Sequence, residues 1–109
     1  MDFNDLASRL GIDEEDMKEL VELFIITTLS DIGKIRKGIS DNNPADAAAA
    51  SHSIKGAAGN LGFDEIFRLA GNMEMQAKKG SLDNFNVYTH DIEDRVNALN
   101  QSIIYSRSK

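Results

Sequence analysis

A single proline among 109 residues, combined with apolar side chains three or four positions apart, limits the folds open to this chain more than any other feature. Proline interrupts helices, and apolar residues at this spacing line one face of an α-helix. Pro44 itself follows the turn at residues 41–43, where proline suits the first position of a helix. The sequence therefore predicts an all-α protein.

The helices are predicted from the apolar spacing and from the residues that start and stop helices. Asp13 has the character of an N-cap, while Gly62 and Gly80 suit helix ends. Because short turns join four long helices, we expect an antiparallel up-down four-helix bundle with a short extra N-terminal helix, in a single domain over residues 1–109. The predicted helices cover residues 2–10, 13–40, 44–61, 64–79 and 83–102.

The third and fourth helices each have a predicted core face. His52 lies about 140–200° around the third helix from every core position on it, at about 100° per residue, so it should point outwards. Small residues and one lysine share the outward face: Ala45, Ala48, Ala49, Lys55, Gly56 and Gly59. The predicted core positions are Ala47, Ala50, Ile54, Ala57 and Leu61 on the third helix, and Ile66, Phe67, Ala70, Met73 and Ala77 on the fourth.

Charge and composition exclude several classes of protein. The net charge of −6 is concentrated in residues 1–24, which hold eight acidic and two basic side chains, and no basic stripe predicts nucleic-acid binding. The lack of cysteine excludes disulfides and thiolate metal sites. No apolar run approaches the roughly 20 residues of a membrane span, and the first residues lack the order of a signal peptide. We expect a cytoplasmic monomer that makes no membrane contact.

The segment SHSIKGAAGNLG at residues 51–62 combines a nucleophile with space around it. A neutral imidazole nitrogen is nucleophilic near pH 7, and Lys55, three positions after His52, can neutralise an anionic group. Gly56 and Gly59 remove side chains that would crowd the ring. The pattern suits an acceptor of phosphoryl groups, but tight helix packing around an ordinary surface histidine would explain the same residues.

Residues 52–62 resemble the signature of histidine-containing phosphotransfer (HPt) domains, roughly H-x-[LIF]-K-G-[SA]-[SA]-x-x-[LIV]-G, and nearly the whole chain is similar to that family. The resemblance implies that His52 accepts a phosphoryl group from an aspartyl phosphate on a response-regulator receiver domain and passes it to another receiver aspartate. It implies that Lys55 contacts the phosphoryl group and that Gly56 gives clearance. A hybrid sensor histidine kinase is the implied source of phosphoryl groups.

The family position that orients the histidine from the neighbouring helix falls at Glu74. Lys78, one turn later, would face the same groove, and Gly71 would leave room there. A carboxylate at this position would favour the imidazolium and fix its tautomer. A simple surface ion pair between Glu74 and Lys78 is the alternative. The resemblance implies no cofactor on this chain, with Mg²⁺ on the receiver partner.

Several other classes of protein are excluded because the sequence lacks the residues that they require. Neither His52 nor His90 has a glutamate three positions before it, as a di-metal bundle requires, and no zinc ligand set is present. No glycine-rich phosphate loop is present, so we expect no ATP binding and no kinase activity. Ser53 and Gly56 stand where a histidine-kinase dimerisation helix has Glu and Pro. A helical adaptor or structural bundle without phosphate chemistry is the remaining alternative.

Overall fold

The computed structural model describes residues 2–107, which form five α-helices with no strand among them. The prediction of an all-helical fold is confirmed. The first four helices begin and end within one residue of their predicted bounds. The helices are α1 (Phe3–Leu10), α2 (Glu14–Ser40), α3 (Pro44–Leu61), α4 (Asp64–Lys78) and α5 (Phe85–Arg107).

Capping side chains and left-handed glycines set the helix ends. The Asp13 carboxylate accepts a hydrogen bond from the backbone N–H of Asp16 at 2.8 Å, which starts α2. The Asn43 side chain caps α3 directly before Pro44. The last turn of α3 closes at Gly62, whose φ of 77° is a conformation that glycine adopts without strain. These local signals fix the length of the helix that carries His52.

The fifth helix differs from its prediction at both ends. It begins at Phe85 instead of residue 83, and it continues to Arg107 instead of ending at Ser102. Ile103 is buried, and the Arg107 guanidinium pairs with Glu22 of α2 at 2.8 Å, so tertiary contacts hold the extra turn. The predicted end at Ser102 was wrong because these contacts extend the helix beyond it.

Contacts between neighbouring helices enclose one core. α3 packs on α2 and on α4, α5 packs on both α2 and α4, and α1 packs on α2. α3 contributes mainly small side chains to this core, so its backbone lies close to α2 and α4. Fully buried core residues include Met17, Val21, Ile35, Ala47, Ile54, Ala58, Ala70, Ile92 and Val96.

Three predicted positions on α3 and α4 lie on different surfaces from those expected. Ala58, not Ala57, is in the core, because the buried line continues four residues after Ile54. Phe67 keeps 44% of its surface exposed and covers the outside of α3 instead of filling the core. Ala48, predicted to lie on the outward face, is buried where α3 faces α4.

α2 and α3 approach each other closely near the turn that joins them. A Cβ atom on Gly38 would lie 3.1 Å from the backbone oxygen of Asn43 and 3.2 Å from the backbone nitrogen of Ala47. The backbone N–H of Asn43 also donates to the Gly38 carbonyl at 2.7 Å. A side chain at Gly38 would therefore push against the backbone of the turn, which cannot rotate out of the way.

Alanine at Gly38 and at Gly33 should have opposite effects on stability. An added Cβ at Gly33, also within α2, meets no atom within 4 Å, so Gly33→Ala should raise the free energy of unfolding by about 0.5–1 kcal/mol. Gly38→Ala should lower it, because displacing the turn outweighs the same gain in helix propensity. Urea unfolding of both variants measures the difference. Equal stabilisation by the two would contradict the close approach.

Candidate functional site

His52 lies on the outer surface of α3, and 67% of its side chain is exposed. A Cβ atom on Gly56, one turn later, would meet no atom within 4 Å, so the space on that side of the ring is open. Ala49, one turn earlier, adds only a methyl group. A partner molecule can therefore reach the imidazole ring directly.

The Glu74 side chain of α4 lies beside the ring and is only 6% exposed. Its Oε2 atom lies 2.9 Å from His52 Nδ1 and 2.9 Å from Lys78 Nζ. Its Oε1 atom lies 3.3 Å from Lys55 Nζ. One buried carboxylate thus holds the imidazole and two ammonium groups together, which brings four of the predicted site residues into a single cluster.

The contact with Glu74 selects the ring nitrogen that can react. An ionised carboxylate only accepts hydrogen bonds, so the Nδ1 atom of His52 must carry the proton and donate it to Oε2. In a neutral ring the reactive lone pair is then on Nε2, at the other side of the imidazole. The cluster therefore presents one defined tautomer.

The positive charges around Glu74 keep it ionised. Its pKa is lowered from the ordinary value of 4.5, first by the hydrogen bond from Lys78, while burial acts in the opposite direction. Lys55 and the charge on His52 lower this pKa further. At neutral pH the carboxylate is therefore charged, as the tautomer assignment requires.

The glycines predicted around the site have different neighbours. Gly56 faces open space beside the histidine. A Cβ atom on Gly59 would lie 3.1 Å from the Phe67 ring, so Gly59 accommodates that ring and not the imidazole. A Cβ atom on Gly71 would lie 3.3 Å from Cδ of Lys55, so Gly71 makes room for the lysine stem and not for Glu74.

An open groove with a volume of about 720 Å³ runs between α3 and α4 and includes His52. Lys78 and Glu74 contribute its charged atoms, and the other side chains that line it are mainly short and apolar. The remaining lining residues are Pro44, Ala45, Ala48, Ala49, Ala77 and Gly80.

A second contact beside the site was not predicted. The Ser53 hydroxyl donates to Oδ2 of Asp31 at 2.7 Å, and Asp31 is 8% exposed. The sequence offered one signal, a charged residue directly before the apolar Ile32 in the second helix. Apolar spacing alone gave no reason to pair that residue with the neighbour of His52.

Neither a metal centre nor a membrane span was found within residues 2–107. No three metal-ligating side chains in this part of the chain converge on one point. None of its helices combines the length and apolar character needed to cross a bilayer.

Comparison with known proteins assigns the chain to a family. A family model described as the Hpt domain matches residues 19–102. The chain belongs to the Hpt domain family. Family membership supports a phosphotransfer function in two-component signalling, as a carrier and not as a kinase.

Among solved structures, this Hpt domain is similar to histidine-containing phosphotransfer protein B from Pseudomonas aeruginosa PAO1, with a TM-score of 0.77. The match covers 99% of this chain and 94% of that chain at 20% sequence identity, so it supports the fold. Comparison with curated protein sequences found no match.

Glu74→Gln should destabilise the Hpt domain at neutral pH by about 1 kcal/mol, because Lys55 and Lys78 lose their ion pair. The pKa of Glu74 is lowered on folding, so its stabilisation is fully present above about pH 4.5 and is lost as the pH falls through the lowered value. Urea unfolding of both proteins at pH 7 and pH 3 should show a smaller difference in the free energy of unfolding at pH 3. A difference that does not depend on pH would contradict the charge pairing.

Proposed function

We propose that His52 is the reversible phosphoryl acceptor of a phosphorelay. It would take the phosphoryl group from an aspartyl phosphate on one receiver domain and pass it to an aspartate on another. The observation that carries this proposal is the exposed imidazole whose Nδ1 lies 2.9 Å from a buried carboxylate. That contact leaves Nε2 with its lone pair and with open space in front of it.

The transfer needs no general base on this chain. The Nε2 lone pair attacks phosphorus while the bond from phosphorus to the aspartate oxygen breaks, and aspartate leaves as a carboxylate. The attacking nitrogen carries no proton, so none must be removed. The ring becomes a positively charged phosphoimidazolium whose Nδ1–H still donates to Glu74, and the negative carboxylate stabilises that charge. Attack by a second aspartate on phosphorus reverses these steps.

Lys55 and Lys78 would neutralise the transferred oxygens. Their Nζ atoms lie 3.3 Å and 2.9 Å from Glu74 oxygens, on flexible stems. A phosphoryl group on Nε2 carries more charge than one carboxylate and would compete for both ammonium groups. Lys55 shares a helix with His52, whereas Lys78 extends from α4, so the two would approach the phosphoryl group from different helices.

We infer that the partners are response-regulator receiver domains and a hybrid sensor histidine kinase. The receiver would bring Mg²⁺ and the reacting aspartate, since phosphoryl transfer depends on positioning and on neutralisation of charge. The chain itself would work in the cytoplasm as a monomer, without cofactor, ATP or nucleic acid. Its net charge of −6 supports the last point, because nucleic acids repel acidic surfaces.

The proposed arrangement of α2 to α5 is an antiparallel up-down bundle with α1 added against α2. Each of these helices contacts the next along the chain, and α5 also contacts α2. The connections between them are short, and helices joined by short turns run in opposite directions. This order would place His52 on the outside of a rigid scaffold.

A helical adaptor without phosphate chemistry is the alternative function. Exposed apolar side chains on α2, such as Leu23 at 58% and Ile26 at 67%, would suit it. The two functions differ in whether the chain needs a nucleophile at position 52.

Transfer from a phosphorylated receiver separates the two functions. The wild-type chain should gain label that is labile in acid and stable in alkali, and His52→Gln should gain none. Lys55→Ala should slow transfer by roughly 10-fold without unfolding the domain, because it removes charge stabilisation only. Label on His52→Gln would refute the assignment, and loss of the fold in Lys55→Ala would favour the structural role.

Ala45→Phe should block the receiver without blocking the chemistry. Ala45 is exposed and lines the groove two turns before His52, so an aromatic ring there would occupy space that a docked domain needs. Transfer from the receiver should fall roughly 10-fold, while labelling by phosphoramidate, which needs no docking, should keep its wild-type rate.

The matched control for this variant is Ala98→Phe, because Ala98 is exposed on α5 and lies outside the groove. This variant should accept phosphoryl groups at the wild-type rate from both the receiver and phosphoramidate. Equal losses in the two variants would mean that the groove is not the docking surface.

A further inference from the structure

Two buried carboxylates hold consecutive residues of α3 from two different helices. Glu74 of α4 is 4% exposed and lies 2.9 Å from His52 Nδ1. Asp31 of α2 is 8% exposed and accepts the hydrogen bond from Ser53 at 2.7 Å. Among the described residues, these two are the buried acidic side chains. α3 is therefore held by a directional polar contact to each of its two neighbours.

Because α3 packs through mainly small apolar side chains, these two polar contacts largely determine how the helix is rotated about its axis. Small side chains interdigitate less deeply with a neighbouring helix than large ones, so they resist rotation less. Ile54 and Leu61 are the larger side chains on the buried face. The other buried residues of α3 are Ala47, Ala48, Ala50, Ser51 and Ala58.

The two contacts together fix the rotation better than either one alone. Side chains at positions 52 and 53 point about 100° apart around the helix axis. A rotation of about 10° moves a side-chain tip by about 1 Å at a radius of about 5–6 Å, which is enough to spoil a hydrogen bond. Turning α3 to weaken one contact therefore also disturbs the other.

Asp31 contributes little to stability through ion pairing. Its Oδ1 atom has Lys34 Nζ at 3.9 Å, beyond hydrogen-bond distance, and the Lys34 side chain is 68% exposed. A carboxylate buried to this extent depends on the groups around it to offset the water it has lost. The hydrogen bond from Ser53 therefore gives Asp31 a direct role in how α3 is oriented against α2.

We propose that Asp31 is a positioning residue for phosphoryl transfer, acting through Ser53 to keep Nδ1 of His52 on Glu74 and Nε2 open to the partner. This inference rests on the proposed function of His52. Asp31 does not touch the phosphoryl group, so its loss should change the orientation of the ring without removing the nucleophile.

The test combines two measurements on Ser53→Ala and Asp31→Ala. Nitrogen-15 NMR of the His52 ring reports which nitrogen carries the proton, and phosphoramidate labelling reports the reactivity of Nε2 without a docking partner. In that reaction the bond from Nε2 to phosphorus forms, the bond from phosphorus to nitrogen in phosphoramidate breaks, and ammonia leaves. Both variants should show a larger fraction of ring protonated on Nε2 and labelling slowed roughly 3- to 10-fold.

Conservative variants separate positioning from stability. Ser53→Thr keeps the hydroxyl and Asp31→Asn keeps an acceptor, so both should stay within about 2-fold of the wild-type rate. Ser102→Ala on α5 is the matched control, because it also removes a serine hydroxyl that donates within the structure, to the Ala98 carbonyl at 3.1 Å. This variant should leave the tautomer of the His52 ring and the rate of phosphoramidate labelling unchanged.

The outcomes distinguish this inference from the proposed function. If Ser53→Ala and Asp31→Ala melt earlier but keep the wild-type tautomer and labelling rate, the positioning role is overturned. If either variant does not fold, the other decides the question by the same two measurements. If the wild-type chain gains no label from any receiver, the proposed function fails, while the tautomer shift still tests the role of Asp31.

Discussion

A carboxylate on a side chain that is only 6% exposed stays ionised in a protein only when positive or hydrogen-donating groups compensate for the water it has lost. Glu74 has three such groups, from His52, Lys55 and Lys78. Because two of them belong to α3, the charge that must be compensated also sets how α3 and α4 face each other. The same contact determines which imidazole nitrogen is free. Packing, charge and reactivity at this site therefore depend on one side chain.

Features of the fold that depend on neighbouring residues were predictable from the sequence. Pro44 and Gly62 act within one turn of the chain, and the bounds of α3 were correct for that reason. The end of α5 was missed because it depends on Arg107 reaching Glu22 on another helix. Phe67 was misplaced because apolar spacing cannot tell a core residue from one that covers a glycine on the outer surface.

The candidate site also has some features that were predictable from the sequence and others that required the packed structure. The outward position of His52 follows from the helical repeat, and the resemblance to HPt domains pointed to Glu74 before any distance was known. The roles of Gly59 and Gly71 required the packed structure, since the ring or stem that fills the space beside each glycine comes from another helix. Asp31 and Ser53 lie too far apart in sequence for any local pattern to join them.

The exposure of the lysine side chains affects how fast their ammonium groups can move to a new anion. The ammonium group of Lys78 reaches Glu74 on a side chain that is 66% exposed, whereas the stem of Lys55 lies against Gly71. Moving the Lys78 ammonium group onto a new anion takes only changes of rotamer, which occur in picoseconds to nanoseconds at exposed positions. Under the proposed function, the helices would not need to rearrange when His52 gains or loses a phosphoryl group. Turnover in such a carrier would then be limited by how often partner domains collide with it and how long they stay.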